Sequence, residues 1–108
     1  MKIVIPSTGK DLASPLSDTL GRTPFIIVYD NSSEDYNSIA NPGFQSQDGS
    51  GLMVVEIILQ TNADVLITKE IGRKAYSALQ AKHFKIELLN SGGTVKSALN
   101  SYLKKLQK

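Results

Sequence analysis

The stretch from Asp64 to Leu89 constrains the fold more than any other part of the chain. It holds two short apolar segments, "DVLIT" (Asp64 to Thr68) and "KIELL" (Lys85 to Leu89). Between them Ile71, Ala75, Ala78 and Leu79 recur at helical spacing, which predicts an amphipathic helix from Glu70 to about Lys82. Runs this short and this apolar leave no polar face, so each strand is expected to be covered on both sides. A helix between two such strands is a crossover, which makes them parallel and right-handed in connection. The unit belongs to an α/β sheet with helices on both faces.

The rest of the chain extends that sheet. "KIVI" (Lys2 to Ile5) is β-branched and apolar and reads as a buried strand that Pro6 stops, and "FIIVYD" (Phe25 to Asp30) is a second strand covered on both faces. "NSSED" makes a turn, after which "YNSIA" (Tyr36 to Ala40) is expected to return antiparallel as a more exposed edge strand. Asn41 to Gly51, "NPGFQSQDGSG", collects turn formers and is read as a mobile loop on which no part of the fold depends. "LMVVEIILQTN" is ambiguous: its β-branched residues favour a strand, while its length and the Glu56/Gln60 pair at i, i+4 favour a helix, the assignment adopted. Val95, Ala98, Leu99, Tyr102, Leu103 and Leu106 then form a helical stripe. The order is strand, strand, strand, helix, strand, helix, strand, helix. A mixed sheet of five strands with three helices follows, and the length fits one domain over residues 1–108.

Composition matters mainly for what it excludes. A net charge of +2, from 12 basic and 10 acidic residues, sets up no field that would recruit nucleic acid or an anionic membrane. The absence of cysteine removes disulfides, thiolate metal sites, cysteine-held iron–sulfur clusters and a thiol nucleophile together. "MKIVIPSTGK" has too short an apolar run for a signal peptide, and no segment approaches the ~20 apolar residues of a membrane span. The expected setting is the cytoplasm.

Ligands of open α/β sheets gather beyond the carboxyl ends of the strands, where helix amino termini also point. The segments leaving three strands here are "PSTGK", "TKEIGRK" and "LNSGGTVK", each carrying Gly and a hydroxyl residue. The candidate ligand-binding residues are therefore Ser7, Thr8 and Gly9 with Lys10 beside them, and Ser91, Gly92, Gly93 and Thr94 after Asn90. Thr19, Gly21 and Arg22, from the polar run before "FIIVYD", and Gly49 and Gly51, from the Gly-rich loop, complete the set. Backbone N–H groups at helix starts near Glu70, Thr94 and Ser50 would suit an anionic or oxygen-rich ligand. Plainer roles stand beside these: Thr94 as a helix cap, Gly92 and Gly93 as a turn, and Arg22 as a partner of Asp18 or Asp11. His83, the sole histidine, sits at a helix-to-strand junction, where it suits a helix terminus better than a metal site. No metal ligands are assigned.

Catalytic signatures are missing. No G-x-G-x-x-G follows a strand, and neither G-x-x-x-x-G-K-[ST] nor G-x-S-x-G occurs. The chain reads as a binding domain rather than an enzyme. Its partner is either a small anionic ligand at the rim or a protein docked on the loop Asn41 to Ser50 and the strand Tyr36 to Ala40; an enzyme of small phosphorylated or carboxylated compounds is the weakest reading.

Taken together, "MKIVIPSTGKDLASPLSDTLGRTPFIIVYD", "NPGFQSQDGSG", "ADVLITKEIGRKAYSALQAKHFKIELL" and "SGGTVKSALNSYL" resemble, along nearly the whole chain, the dinitrogenase iron–molybdenum cofactor biosynthesis family. The resemblance implies a ribonuclease H-like motif, a three-layer α/β/α domain whose mixed sheet has five strands and whose helices number three. It also implies a carrier of iron–molybdenum cofactor or of a precursor iron–sulfur cluster. Nuclease activity does not come with the fold, since "KIVI" lacks an acidic residue. Relatives commonly place a histidine just before the Phe-Gly-Arg of this loop. Here Thr19 stands at that position, while Gly21, Arg22 and Pro24 match.

Overall fold

The computed structural model describes residues 1–42, 50–89 and 92–107. Its elements in chain order are β1 (Lys2–Ser7), β2 (Phe25–Asp30), β3 (Tyr36–Ala40), α1 (Ser50–Gln60), β4 (Val65–Thr68), α2 (Arg73–Ala81), β5 (Lys85–Leu88) and α3 (Val95–Leu106). The sheet runs β3-β2-β1-β4-β5. β1 is antiparallel to β2 and β2 to β3, whereas β1, β4 and β5 are mutually parallel; the spacing of the apolar runs predicts the β4–β5 pair.

Strand alternation sorts the side chains into two apolar layers. Ile3 and Ile5 of β1, Ile27 and Tyr29 of β2, and Val65 and Ile67 of β4 face α3, meeting Val95, Ala98, Leu99 and Tyr102. Their sequence neighbours Val4, Ile26 and Leu66 face the other way, toward Val54, Val55 and Ile58 of α1 and Ala75 and Leu79 of α2. One sheet thus packs one helix on one face and two on the other. The ambiguous "LMVVEIILQTN" is helical because its apolar side chains are needed in that second layer.

Two expectations require correction. Pro6 does not stop β1, which continues to Ser7 opposite Phe25. Pairing with β4 has ended at Val4, and the Pro6 carbonyl accepts from Ser17 N–H at 3.2 Å. The missing proline N–H therefore costs no ladder bond. The second helix begins at Arg73 rather than Glu70: the Thr68 hydroxyl donates to the Glu70 carbonyl at 3.0 Å, and Gly72 is extended at φ −70°, ψ 158°.

α2 ends in a Schellman arrangement, with His83 N–H donating to the Gln80 carbonyl at 2.9 Å and Phe84 N–H to the Leu79 carbonyl at 3.0 Å. His83 occupies the position usually held by glycine, at φ 60°. The expected helix-terminal histidine is thus found, with its backbone at work and its side chain exposed. His83→Gly is expected to stabilise the fold by about 1 kcal/mol by relieving the left-handed conformation. A urea midpoint raised at unchanged slope would show it.

Candidate functional site

Because β1, β4 and β5 run parallel, the segments leaving them emerge along one edge of the sheet. The long connection from β1 to β2 is fastened there by groups that carry no ligand chemistry. Thr23 is fully buried, with its hydroxyl 3.0 Å from the Ser7 carbonyl and 2.8 Å from that of Phe25. Asn41 is buried too, and its side-chain amide donates to the carbonyls of Gly21 at 3.2 Å and Thr23 at 2.8 Å. Between them Leu20 inserts into the apolar layer under α1 and α2. Thr19 to Arg22 is thereby presented as a fixed lip. The start of the supposedly dispensable loop is, at Asn41, a fastening of this lip.

The facing lip is Glu70 to Ala75, the extended entry and first turn of α2. The two lips, with Leu52 of α1, enclose a cleft of about 540 Å³, within the size range of small-molecule sites. Arg22, Arg73 and Lys74 line it with Glu70, so cations outnumber the carboxylate. At the start of α2 the N-cap residue is Gly72, which has no side chain to bond the helix's first N–H groups, and Gly72 to Ala75 line the cleft. Partial positive charge at a helix start adds to the cationic side chains. Just outside, Lys69 Nζ and Asp18 Oδ1 pair at 2.9 Å and join the base of one lip to the base of the other. This exposed pair sets position more than energy.

The structure divides the sequence-derived candidates. Thr19, Gly21 and Arg22 line the cleft. Ser7 lies fully buried, its hydroxyl donating to the Gly9 carbonyl at 2.8 Å and accepting from Gly9 N–H at 3.1 Å. Thr8 donates its hydroxyl to the Pro15 carbonyl at 2.9 Å, and a side chain on Gly9 would meet Ser14. Lys10 lies over the Phe25 ring at 5.7 Å. Ser7 to Lys10 thus stay apart from the cleft lining.

Thr94 caps α3 with a reciprocal bond to Ser97. The next N–H groups are also taken: Val95 donates to Ser14 at 3.0 Å and Lys96 to Leu12 at 2.8 Å. The helix start expected to offer free donors at Thr94 has spent them on the β1–β2 connection. Gly92 approaches Lys69, and Gly93 makes the entry to the cap at φ 134°. Gly49, Asn90 and Ser91 lie outside the described residues, and Gly51 falls in the first turn of α1.

The sequence does not single out the Leu52, Arg73, Lys74 and Ala75 side of the lining, although it marks Glu70 as a helix start. For Arg73 and Lys74 the signal was "TKEIGRK", a rim segment whose donors shift when the helix starts at Arg73. His83 closes the opposite end of α2, away from this cleft. Among the described residues no group of three or more His, Asp or Glu could hold a metal ion, and no helix is long and apolar enough to cross a membrane.

Known proteins agree with this architecture. The apo form of the orange protein from Desulfovibrio gigas is 26% identical and superposes with a TM-score of 0.90, over 96% of this chain and 88% of that one. The NMR structure of a Thermotoga protein assigned as NifB is 32% identical, with a TM-score of 0.83 over 95% of this chain and 87% of that one. No curated protein matches the sequence. The family model for dinitrogenase iron-molybdenum cofactor proteins matches residues 1–105. With three-layer fold, strand order and nearly full-length match in accord, the chain belongs to the dinitrogenase iron-molybdenum cofactor family.

Proposed function

We propose that this protein is a non-enzymatic carrier that holds an anionic metal–sulfur cluster, iron–molybdenum cofactor or a precursor, in the cleft between Thr19–Arg22 and Glu70–Ala75. The observation that carries the reading is an uncapped helix start facing a lip that bears Arg22, with Arg73 and Lys74 beside it. Family membership and the likeness to the apo orange protein and the NifB-assigned protein support it.

The donor set decides how such a cargo is held. The chain has no cysteine, and its one histidine terminates α2 at the far end from the cleft. Soft covalent ligation is therefore not what these residues offer. They offer charge and hydrogen bonds: guanidinium forks that match oxo or sulfido edges, and backbone N–H groups that need no titration. A cargo held in this way leaves without breaking a bond to the carrier. Thr19 contributes a hydroxyl at the lip. Buried Leu20 and half-exposed Leu52 shield one side of the cargo from water.

Tetrathiomolybdate is a suitable probe, since it is an anion with a strong visible absorption. The protein is expected to bind it with an affinity that falls as salt rises. Arg22→Ala and Arg73→Ala should each weaken it by about 1.5–3 kcal/mol, the range for a hydrogen bond to a charged group. Undiminished binding by the double variant would remove the cleft from the function.

A second reading rests on β3, the outer strand, most of whose residues are exposed or half-exposed. Its outer edge, which pairs with no strand among the described residues, suits pairing with an extended segment of a protein that receives the cargo. The tip Phe44 to Asp48, expected to join that surface, lies outside the described residues.

A further inference from the structure

The face of the sheet covered by α3 carries a second pocket, separated from the cleft by the sheet itself. It has a volume of about 260 Å³, several times a water molecule's share of liquid volume of about 30 Å³. Leu12, Leu99 and Leu103 supply apolar walls. Tyr29, 8% exposed, reaches the lining from the core and brings its hydroxyl group to this pocket.

Two opposite charges share the same lining. Glu34 comes from the β2–β3 turn and Lys96 from the first turn of α3. Their side chains form no ion pair with each other or with any other described residue. Glu34 also holds a left-handed backbone, φ 63°, a conformation disfavoured for a residue with a Cβ. The turn that imposes it is knit by its own bonds: Glu34 N–H donates to the Asp30 carbonyl at 2.8 Å, and Asp30 N–H to the Asp35 carbonyl at 2.9 Å. Ser32 N–H donates to the Asp30 carboxylate, also at 2.8 Å, and this bond holds the carboxyl below the usual aspartate range, so the turn stays knit at neutral pH.

We infer that this pocket binds a small zwitterion with an aliphatic tail, the chemistry of a branched-chain α-amino acid. The leucine walls take the tail, Glu34 meets the ammonium group and Lys96 the carboxylate, which the Tyr29 hydroxyl also reaches. Asn100, on the same lining, adds an amide that can serve either head group. A simple anion would face Glu34 and a simple cation would face Lys96. A ligand carrying both charges complements the pair.

The test is a titration of the full chain with L-leucine, followed by amide chemical shifts. Saturable shifts are expected at Leu12, Glu34, Lys96 and Asn100, with none around the cleft. Isocaproate and isoamylamine, each lacking one charge, should bind about tenfold more weakly, as should L-leucine to Glu34→Gln or Lys96→Gln. Tetrathiomolybdate uptake should be unaffected in both variants, so this site and the cleft stand or fall separately. The proposal is overturned by an absence of shifts, by shifts elsewhere, or by equal affinity for the singly charged analogues.

Discussion

Leu20→Ala is expected to destabilise the fold by about 3 kcal/mol and to impair the cleft in the same stroke. Leu20 is 1% exposed and shares its apolar layer with Val4, Ile26, Val54 and Leu66, so truncation leaves a cavity between the sheet and α1. It is also the middle of the lip that carries Thr19, Gly21 and Arg22. Without the leucine, the lip keeps its hydrogen bonds through Asn41 but loses its insertion into the core. Urea denaturation measures the stability loss. Tetrathiomolybdate titration, well below the denaturation midpoint, should show weaker binding although no charge has been removed. Leu20→Met, which keeps the volume, should cost less than about 1.5 kcal/mol and preserve binding. If Leu20→Ala bound as tightly as the parent protein, the lip would not be held by this side chain.

Gly93→Ala is expected to cost a comparable amount, about 3 kcal/mol, from two sources that act at one residue. The backbone sits at φ 134°, where a side chain is strained whatever the space around it. The added Cβ would also stand 2.7 Å from Ser97 Oγ. That hydroxyl accepts from Thr94 N–H at 3.0 Å and donates to the Thr94 carbonyl at 2.8 Å, so moving it opens the cap. Thr94→Ala, which removes only the side-chain half of the cap, should cost about 1 kcal/mol. Gly92→Ala should cost little, since the nearest atom is Lys69 Nζ at 3.7 Å. Equal midpoints for Gly92→Ala and Gly93→Ala would rule out the strain argument.

The sequence made the layers legible and the fastenings illegible, for a physical reason. Apolar runs such as "FIIVYD" and "DVLIT" announce burial through their own composition, and β1, β4 and β5 then have few ways to pair once helices separate them. The α3 stripe is equally local. Thr23 and Asn41 are different, because what they do depends on residues distant in the chain. The Thr23 hydroxyl reaches Ser7, and Asn41 reaches back to Gly21 and Thr23. No pattern around "NPG" marks that asparagine as buried.

The site followed the same rule. Arg22 stood out by its place between Gly21 and Pro24, whereas the donors of α3 looked available because the β1–β2 connection that consumes them is elsewhere in the sequence. Glu70 to Ala75 was mislocated by a few residues for want of the Thr68-to-Glu70 hydrogen bond that keeps the entry extended. A shift of that size decides which amides face a ligand.

The lips of the cleft belong to distant parts of the chain: Asp18 and Lys69, which join their bases, are 51 residues apart in sequence. A ligand touching both lips therefore recognises the finished fold and has no counterpart site in the unfolded chain. Occupancy then becomes a reservoir of conformational stability, deepening with the logarithm of free ligand above its dissociation constant. Loaded protein would outlast empty protein under proteolysis or heat, so that the cellular lifetime of the domain would itself report the supply of what it carries.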